Sequence, residues 1–251
     1  MVRNPVDWDN IDLVVFDMDG TLYDQRRLRA RMLMALAGEA VRSRTLRVPA
    51  VLQTFRRCRE TLGNQPSANF MSRQYELTAE RCGWPIEMVR EAVLDWIEQR
   101  PLEYLNACIY AGVRQLFDAL YASNKMVAIF SDYPAAAKMK ALGLKAHLTV
   151  SATDEDVGRL KPDPAGLQKI IAIAGIASRR SLMIGDRLDR DGEAARQIGM
   201  KALIRSRHSL TEAATFRSYG DPLFQPVLQG VGAEASVAAP HARHALIPEG
   251  G

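Results

Sequence analysis

Two aspartates one residue apart, Asp17 and Asp19, stand directly behind the apolar run Ile11-Asp12-Leu13-Val14-Val15-Phe16 and ahead of Gly20-Thr21. A short β-branched run predicts a buried strand, and Gly20 predicts a turn at its end. That places both carboxylates in the crevice at the carboxyl end of the strand, where open α/β sheets bind ligands. Two acids there can divide the labour, one ionised as a nucleophile and one protonated as a general acid. An ordinary strand-to-turn junction has the same composition, since Asp and Gly are also turn residues.

Three later segments add weight to the chemical reading. Val127-Ala128-Ile129-Phe130-Ser131-Asp132 is a second apolar run, ending in a hydroxyl. Arg159-Leu160-Lys161-Pro162-Asp163-Pro164 sets a lysine just before a proline-fixed turn. Ser181-Leu182-Met183-Ile184-Gly185-Asp186 is a third apolar run ending in an acid, with Asp189 and Asp191 close behind. Paired acids, hydroxyl, lysine and distal acids thus follow one another along the chain, three of the four at predicted strand ends.

This ordered set resembles the haloacid dehalogenase-like (HAD) hydrolase superfamily, most closely its phosphatases with a helical cap, over roughly residues 11–205. The resemblance implies that Asp17 attacks phosphorus to form an aspartyl-phosphate, while Asp19 protonates the leaving alcohol and later activates water. It implies Mg²⁺ as cofactor, held by the Asp17 carboxylate, the Asp19 backbone carbonyl and Asp186, with Asp191 or Asp189 supporting the ion from behind. A hard cation with few carboxylates suits phosphoryl transfer. Ser131 is expected to bond a phosphoryl oxygen, Lys161 to neutralise charge on the nucleophile and phosphoryl group, and the backbone N–H groups around Met18 and Gly20 to complete the cradle. The serine is usually followed by Asn in this family, whereas Asp132 stands here. An ionised carboxylate cannot donate as an amide does, so the change is harmless if only the Asp132 backbone N–H touches phosphate, which is the expectation. An inward side chain would add negative charge and alter substrate preference.

Elements of two kinds must position these groups. After Asp24 the pattern turns helical to about residue 100, as in Leu28, Met32, Leu33, Leu36 and Ala40, or Ile86, Val89, Val93, Leu94 and Ile97. The breakers Gly63-Asn64-Gln65-Pro66 and Cys82-Gly83-Trp84-Pro85 divide it. Strands are expected at Met126–Phe130, His147–Ser151, Leu182–Ile184 and Lys201–Ile204, the last of the sheet, alternating with helices. The fold class is therefore α/β, a doubly wound parallel-sheet (Rossmann-like) core with an inserted α-helical cap. The expected division is 1–24 and 106–228 for the core, 25–105 for the cap, and a disordered tail over 229–251. His241 and His244 in that tail lack further ligands and are read as incidental.

Composition bounds the rest. Hydrophobic content of 47% with 25% charged residues describes an ordinary globular protein. No stretch approaches the about 20 apolar residues of a membrane span, and Met1 to Asp12 lacks a signal-peptide core, so a cytoplasmic protein is expected. Cys58, Cys82 and Cys108 have no paired spacing and are read as free thiols. The net charge of +4 comes with arginines crowded at 26–31, 42–47 and 56–59. They serve as solvated helix faces or as a field drawing an anionic substrate inward. No aromatics interleave with them, so no nucleic-acid partner is expected. Asp19 argues for phosphoryl transfer over dehalogenation, which needs no proton for its leaving group. The expected function is a Mg²⁺-dependent phosphatase acting on a small phosphorylated metabolite. A phosphomutase of the same fold, or a non-catalytic binding protein, is the alternative.

Overall fold

The computed structural model describes residues 6–63 and 70–229. Strand β1 (Leu13–Phe16) is buried at all four positions, the signature of a strand covered on both faces. A helical insertion follows: α1 (Gln25–Ser43), α2 (Arg47–Gly63), α3 (Phe70–Cys82), α4 (Ile86–Val93) and α5 (Leu102–Leu105), with α6 (Val113–Ala122) leading back to the sheet. The chain then alternates through β2 (Met126–Ser131), α7 (Ala136–Leu142), β3 (Leu148–Ser151), α8 (Ala165–Ala174), β4 (Ser181–Gly185), α9 (Glu193–Gln197), β5 (Lys201–Arg205) and β6 (Ala214–Phe216).

All six strands are parallel, in the order β3-β2-β1-β4-β5-β6. Winding runs outward from β1 on one side and then outward from β4 on the other. The topological switch therefore falls between β1 and β4, and ligands of open sheets bind beyond the strand ends at that point. Alternation along β1 divides the core. Leu13 and Val15 pack with Leu167, Ile170, Ala194 and Ala195 of α8 and α9. Val14 and Phe16 pack with Leu116, Phe117 and Leu120 of α6 and Met139 and Leu142 of α7.

The insertion has its own small core, in which Val51 and Phe55 of α2 meet Tyr75 of α3 and Val89 and Val93 of α4. The Asp24 carboxylate caps α1 by accepting from the N–H groups of Arg26 and Arg27. Arg26, Arg27, Arg42, Arg44 and Arg57 face solvent; Arg29 and Arg56, also exposed, and the buried Arg59 line the cavity beneath the insertion.

The expected sheet is extended by one strand. Lys201–Arg205 is not the last, because Ala214–Phe216 adds β6 beside it. A three-residue strand behind the polar loop 206–213 carries too short a pattern for periodicity to reveal. Three cysteines remain free thiols, two of them buried. Among the described residues no helix is long and apolar enough to cross a membrane. The tail from residue 230, His241, His244 and the breaker Asn64-Gln65-Pro66 lie outside the described residues.

Candidate active site

The strands deliver the acids to one place. The Asp17 N–H continues the β1–β4 ladder by donating to the Ile184 carbonyl at 2.9 Å. The chain then turns at Met18, whose carbonyl accepts from the N–H groups of Thr21 and Leu22. Gly20 sits at φ +94°, and a Cβ there would lie 2.2 Å from Asp186 Oδ2. The turn after β1 can thus lie against the acid after β4 only with glycine at this position.

At the centre, Lys161 Nζ donates to Asp17 Oδ1 at 2.5 Å and to Asp191 Oδ1 at 2.6 Å. The Thr21 hydroxyl donates to Asp17 Oδ2 at 2.9 Å. The other oxygen of Asp191 accepts from the N–H groups of Asp186 and Arg187 at 3.1 and 3.0 Å. Asp191 therefore ties the loop after β4 to Lys161. A widened turn, in which the Gly192 N–H reaches back to the Arg187 carbonyl, brings it inward. Asp189, two residues earlier, points away and pairs with Arg187 at 2.8 Å. Of the two acids left open by the sequence, Asp191 is the one in the cluster.

Charge is out of balance here. Asp17, Asp186 and Asp191 each offer a carboxylate oxygen, and these oxygens lie within 4.8 Å of one another. Among the described residues only Lys161 touches them as a cation. Among the described residues the Asp186 carboxylate makes no hydrogen bond or ion pair. Burial, then Asp17 and Asp191, push Asp186 up to about 8. Burial also raises Asp17 to about 6, with Lys161 opposing. Burial alone would lower the Lys161 ammonium, but Asp17, Asp191 and Asp132 hold it well above the usual lysine value. An all-carboxylate donor set with an unpaired acid fits a hard divalent cation. The Asp186 oxygens are free to take it, while the oxygens of Asp17 and Asp191 already accept hydrogen bonds and would share their remaining lone pairs with it.

Asp19 stands apart from this cluster. Its two oxygens accept from Lys138 Nζ at 2.7 and 2.8 Å, and the Tyr23 hydroxyl donates to it as well. Lys138 is buried on α7 and has no counterpart among the sequence-based expectations. A single lysine in the helical run Ala136–Leu142 has the pattern of a solvated position, and only the tertiary fold reveals its partner. Tyr23 and Thr21 were likewise given no role.

Ser131 is fully buried at the end of β2, where its hydroxyl accepts from the Tyr133 N–H at 3.2 Å. It does not form part of the cavity wall. Asp132 does, and its side chain is not turned out of the site. Oδ1 accepts the Lys161 N–H at 3.0 Å, and the backbone carbonyl accepts from Arg59. The carboxylate thus supplies the acceptor that the Lys161 amide needs, and burial raises its pKa.

Asp17, Asp19, Asp132, Lys161, Asp186 and Asp191 line one cavity of about 390 Å³, closed from above by α1, α2 and Trp96. Glu60 of α2 bridges the insertion to the loop after β4, accepting from Arg187 at 3.1 Å and Arg190 at 3.2 Å. Arg190 also donates to the Lys161 carbonyl at 2.6 Å. The roof is therefore wired to the loop that carries Asp186 and Asp191.

Structures with this fold include a 2-haloacid dehalogenase from Pseudomonas syringae pv. Tomato DC3000, with TM-score 0.59, 20% identity, and 91% of this chain and 100% of that one covered. A HAD phosphatase from Thermococcus onnurineus matches with TM-score 0.55 and 19% identity, covering 88% and 97%. The putative HAD-hydrolase YfnB from Bacillus subtilis, bound to magnesium, matches with TM-score 0.63 and 13% identity, covering 87% and 99%. No curated protein matches in sequence. The profile of haloacid dehalogenase-like hydrolases matches residues 11–199. The acids beyond β1 and β4, the helical insertion after β1 and this match agree: the chain belongs to the haloacid dehalogenase-like hydrolase family.

Proposed function

We propose that this hydrolase is a Mg²⁺-dependent phosphatase that cleaves a small phosphorylated metabolite through an aspartyl-phosphate. The observation that carries this reading is the pair Asp17 and Asp19 on one cavity wall, with Lys161 on the first and a separate partner on the second. Asp17, raised only to about 6, is ionised above neutral pH and available as a nucleophile. An Asp17 oxygen bonds to phosphorus as the ester P–O bond breaks, and the departing oxygen takes a proton from Asp19. A water then gives a proton to Asp19 and attacks phosphorus, freeing Asp17 and inorganic phosphate. Asp19 must take up a proton before the first transfer, and Lys138 and Tyr23 hold it as the carboxylate that accepts the proton of the attacking water in the second. Lys161 fixes the attacking carboxylate and offsets the negative charge that gathers on the phosphoryl oxygens. Bound Mg²⁺, held by Asp17 and Asp186, supplies charge neutralisation at the phosphoryl group. The boundaries 1–24 and 106–228 for the core, and 25–105 for a cap that excludes water, belong to the same proposal.

Phosphate release from a panel of phosphomonoesters, with and without Mg²⁺, tests this function. Release that requires the ion supports it. Halide release from 2-haloacids with no phosphate release from any ester would make the protein a dehalogenase instead.

The metal proposal has a second test, independent of turnover. Above about pH 4 the folded protein retains protons that the unfolded chain has released, on Asp17 up to about pH 6 and on Asp186 up to about pH 8. Without a divalent cation, stability therefore falls as pH rises through that window. Mg²⁺ replaces those protons, so its stabilisation grows in the same direction. At a hundred times its dissociation constant the ion adds about 2.7 kcal/mol, or roughly 5–10 °C in Tm for a chain of this size. Melting curves at pH 5 and pH 8, with Mg²⁺ and with chelator, check it. An equal Mg²⁺ effect at both pH values would contradict the assignment.

A further inference from the structure

Five arginines line the cavity, and they divide into two groups. Arg59 donates to the Asp132 carbonyl and stacks on the Tyr133 ring at 3.9 Å. Arg187 and Arg190 are paired with Glu60. These three hold the roof to the floor. Arg29 of α1 and Arg56 of α2 have no ion pair and no hydrogen bond to the rest of the described protein. Burial pushes the Arg56 guanidinium below its ordinary value, and the neighbouring charge of Arg29 pushes it further in that direction. Both are exposed at the edge of the cavity they line, and two unpaired guanidinium groups on one wall repel each other unless an anion lies between them.

Their location separates them from the reacting centre. Arg29 and Arg56 also line the groove that opens outward between α1 and α2. Asp17, Asp186, Asp191 and Lys161 line only the inner cavity. The arginines therefore stand at the mouth and the acids on the floor. Leu28 and Met32 of α1 and Trp96 line the same inner cavity and give its wall an apolar stretch.

We infer that Arg29 and Arg56 form a second anion subsite, and that the substrate is a phosphomonoester bearing another anionic group, a carboxylate or a second phosphate, at its far end. A planar guanidinium presents paired N–H donors that match either oxyanion, and two of them can grip one group from both helices. The apolar wall fits a short carbon chain joining the two ends. This inference rests on the phosphatase reading and narrows it to a class of substrate. It also gives part of the arginine excess in the insertion a specific task.

The test compares phosphomonoesters of the form phosphate–(CH₂)n–X, with n from two to five and X a methyl, carboxylate or phosphate group, in the presence of Mg²⁺. p-Nitrophenyl phosphate serves as the gauge of phosphatase activity. The quantity read is the ratio of kcat/KM for the anionic ester over the methyl ester of equal length, so any change common to both cancels. For the wild-type protein the ratio at the best length is expected to be about tenfold or more. In Arg29→Gln/Arg56→Gln it falls to about one. Arg27→Gln, on α1 and outside both the inner cavity and the groove, keeps the wild-type ratio and controls for general loss of positive charge. The arm with the larger ratio identifies the anion as carboxylate or phosphate. Hydrolysis of p-nitrophenyl phosphate without preference for either anion, or a preference that survives the double substitution, overturns the subsite and leaves the phosphatase reading standing. No hydrolysis of any ester overturns both.

Discussion

Asp17→Asn lowers turnover on the best phosphate ester by on the order of 10⁴-fold or more while leaving the protein as stable as the wild type, or more stable. The loss follows from chemistry, because a neutral amide has no oxygen able to attack phosphorus and leave again. The retained stability follows from the charge balance of the site. Asp17 contributes to a buried excess of carboxylates that, after burial itself, raises Asp186 to about 8. An amide of the same shape removes one negative charge from that group and keeps an oxygen to accept from Lys161, now at 2.5 Å from Oδ1. The Asp186 pKa falls accordingly, and the Tm gain is larger at pH 8 than at pH 5. Phosphate release and melting curves on the purified variant check both halves. A residual rate within tenfold of wild type would remove Asp17 as the nucleophile. A Tm well below wild type would mean that the site is not over-charged as its geometry indicates.

Much of this site was visible in the residues because strand ends fix position. Phe16-Asp17, Ile184-Gly185-Asp186 and the β2 end at Ser131 all follow apolar runs, and a parallel sheet brings such ends to one edge. What lies on helices was not visible. Lys138 on α7 is one cation in a helical pattern that solvent would also satisfy, and Arg56 on α2 stands in an arginine run that reads equally as a solvated face or as a field for an anionic substrate. Only the packing of α7 against the turn after β1, and of α2 over the cavity, gives them a task. The ambiguity between Asp189 and Asp191 has a similar cause. Both follow Asp186 within a few residues, and the widened turn at Leu188–Gly192 decides which one faces inward. Side-chain direction was also the difficulty at Asp132. Nothing in its neighbours indicates that the Lys161 N–H, distant in sequence, takes it as an acceptor. The short β6 escaped because three residues carry no periodicity.

Lys161→Met tests whether the same lysine that serves the chemistry also holds the floor together. Its ammonium is buried between Asp17 and Asp191. A thioether of similar length fills the space and removes the one cation that, among the described residues, touches that acid cluster. Breaking a buried ion pair from one side costs about 3–5 kcal/mol, because the partner charge is left without compensation. For a protein of this size that is a fall in Tm of roughly 10 °C. The sign with pH is fixed by which groups lose their partner. Protonation of Asp17, whose pKa stands at about 6, relieves the repulsion, so the loss is smaller at pH 5 than at pH 8. Asp17→Asn/Lys161→Met therefore recovers part of the stability, since one of the two stranded carboxylates is gone, although it recovers no turnover. A lysine that only filled space would show neither the pH dependence nor the recovery. Melting curves of the single and double variants at both pH values distinguish the cases. A Tm for Lys161→Met within about 2 °C of wild type at pH 8 would show that water or a bound cation, and not this ammonium, balances the acids beneath the cavity.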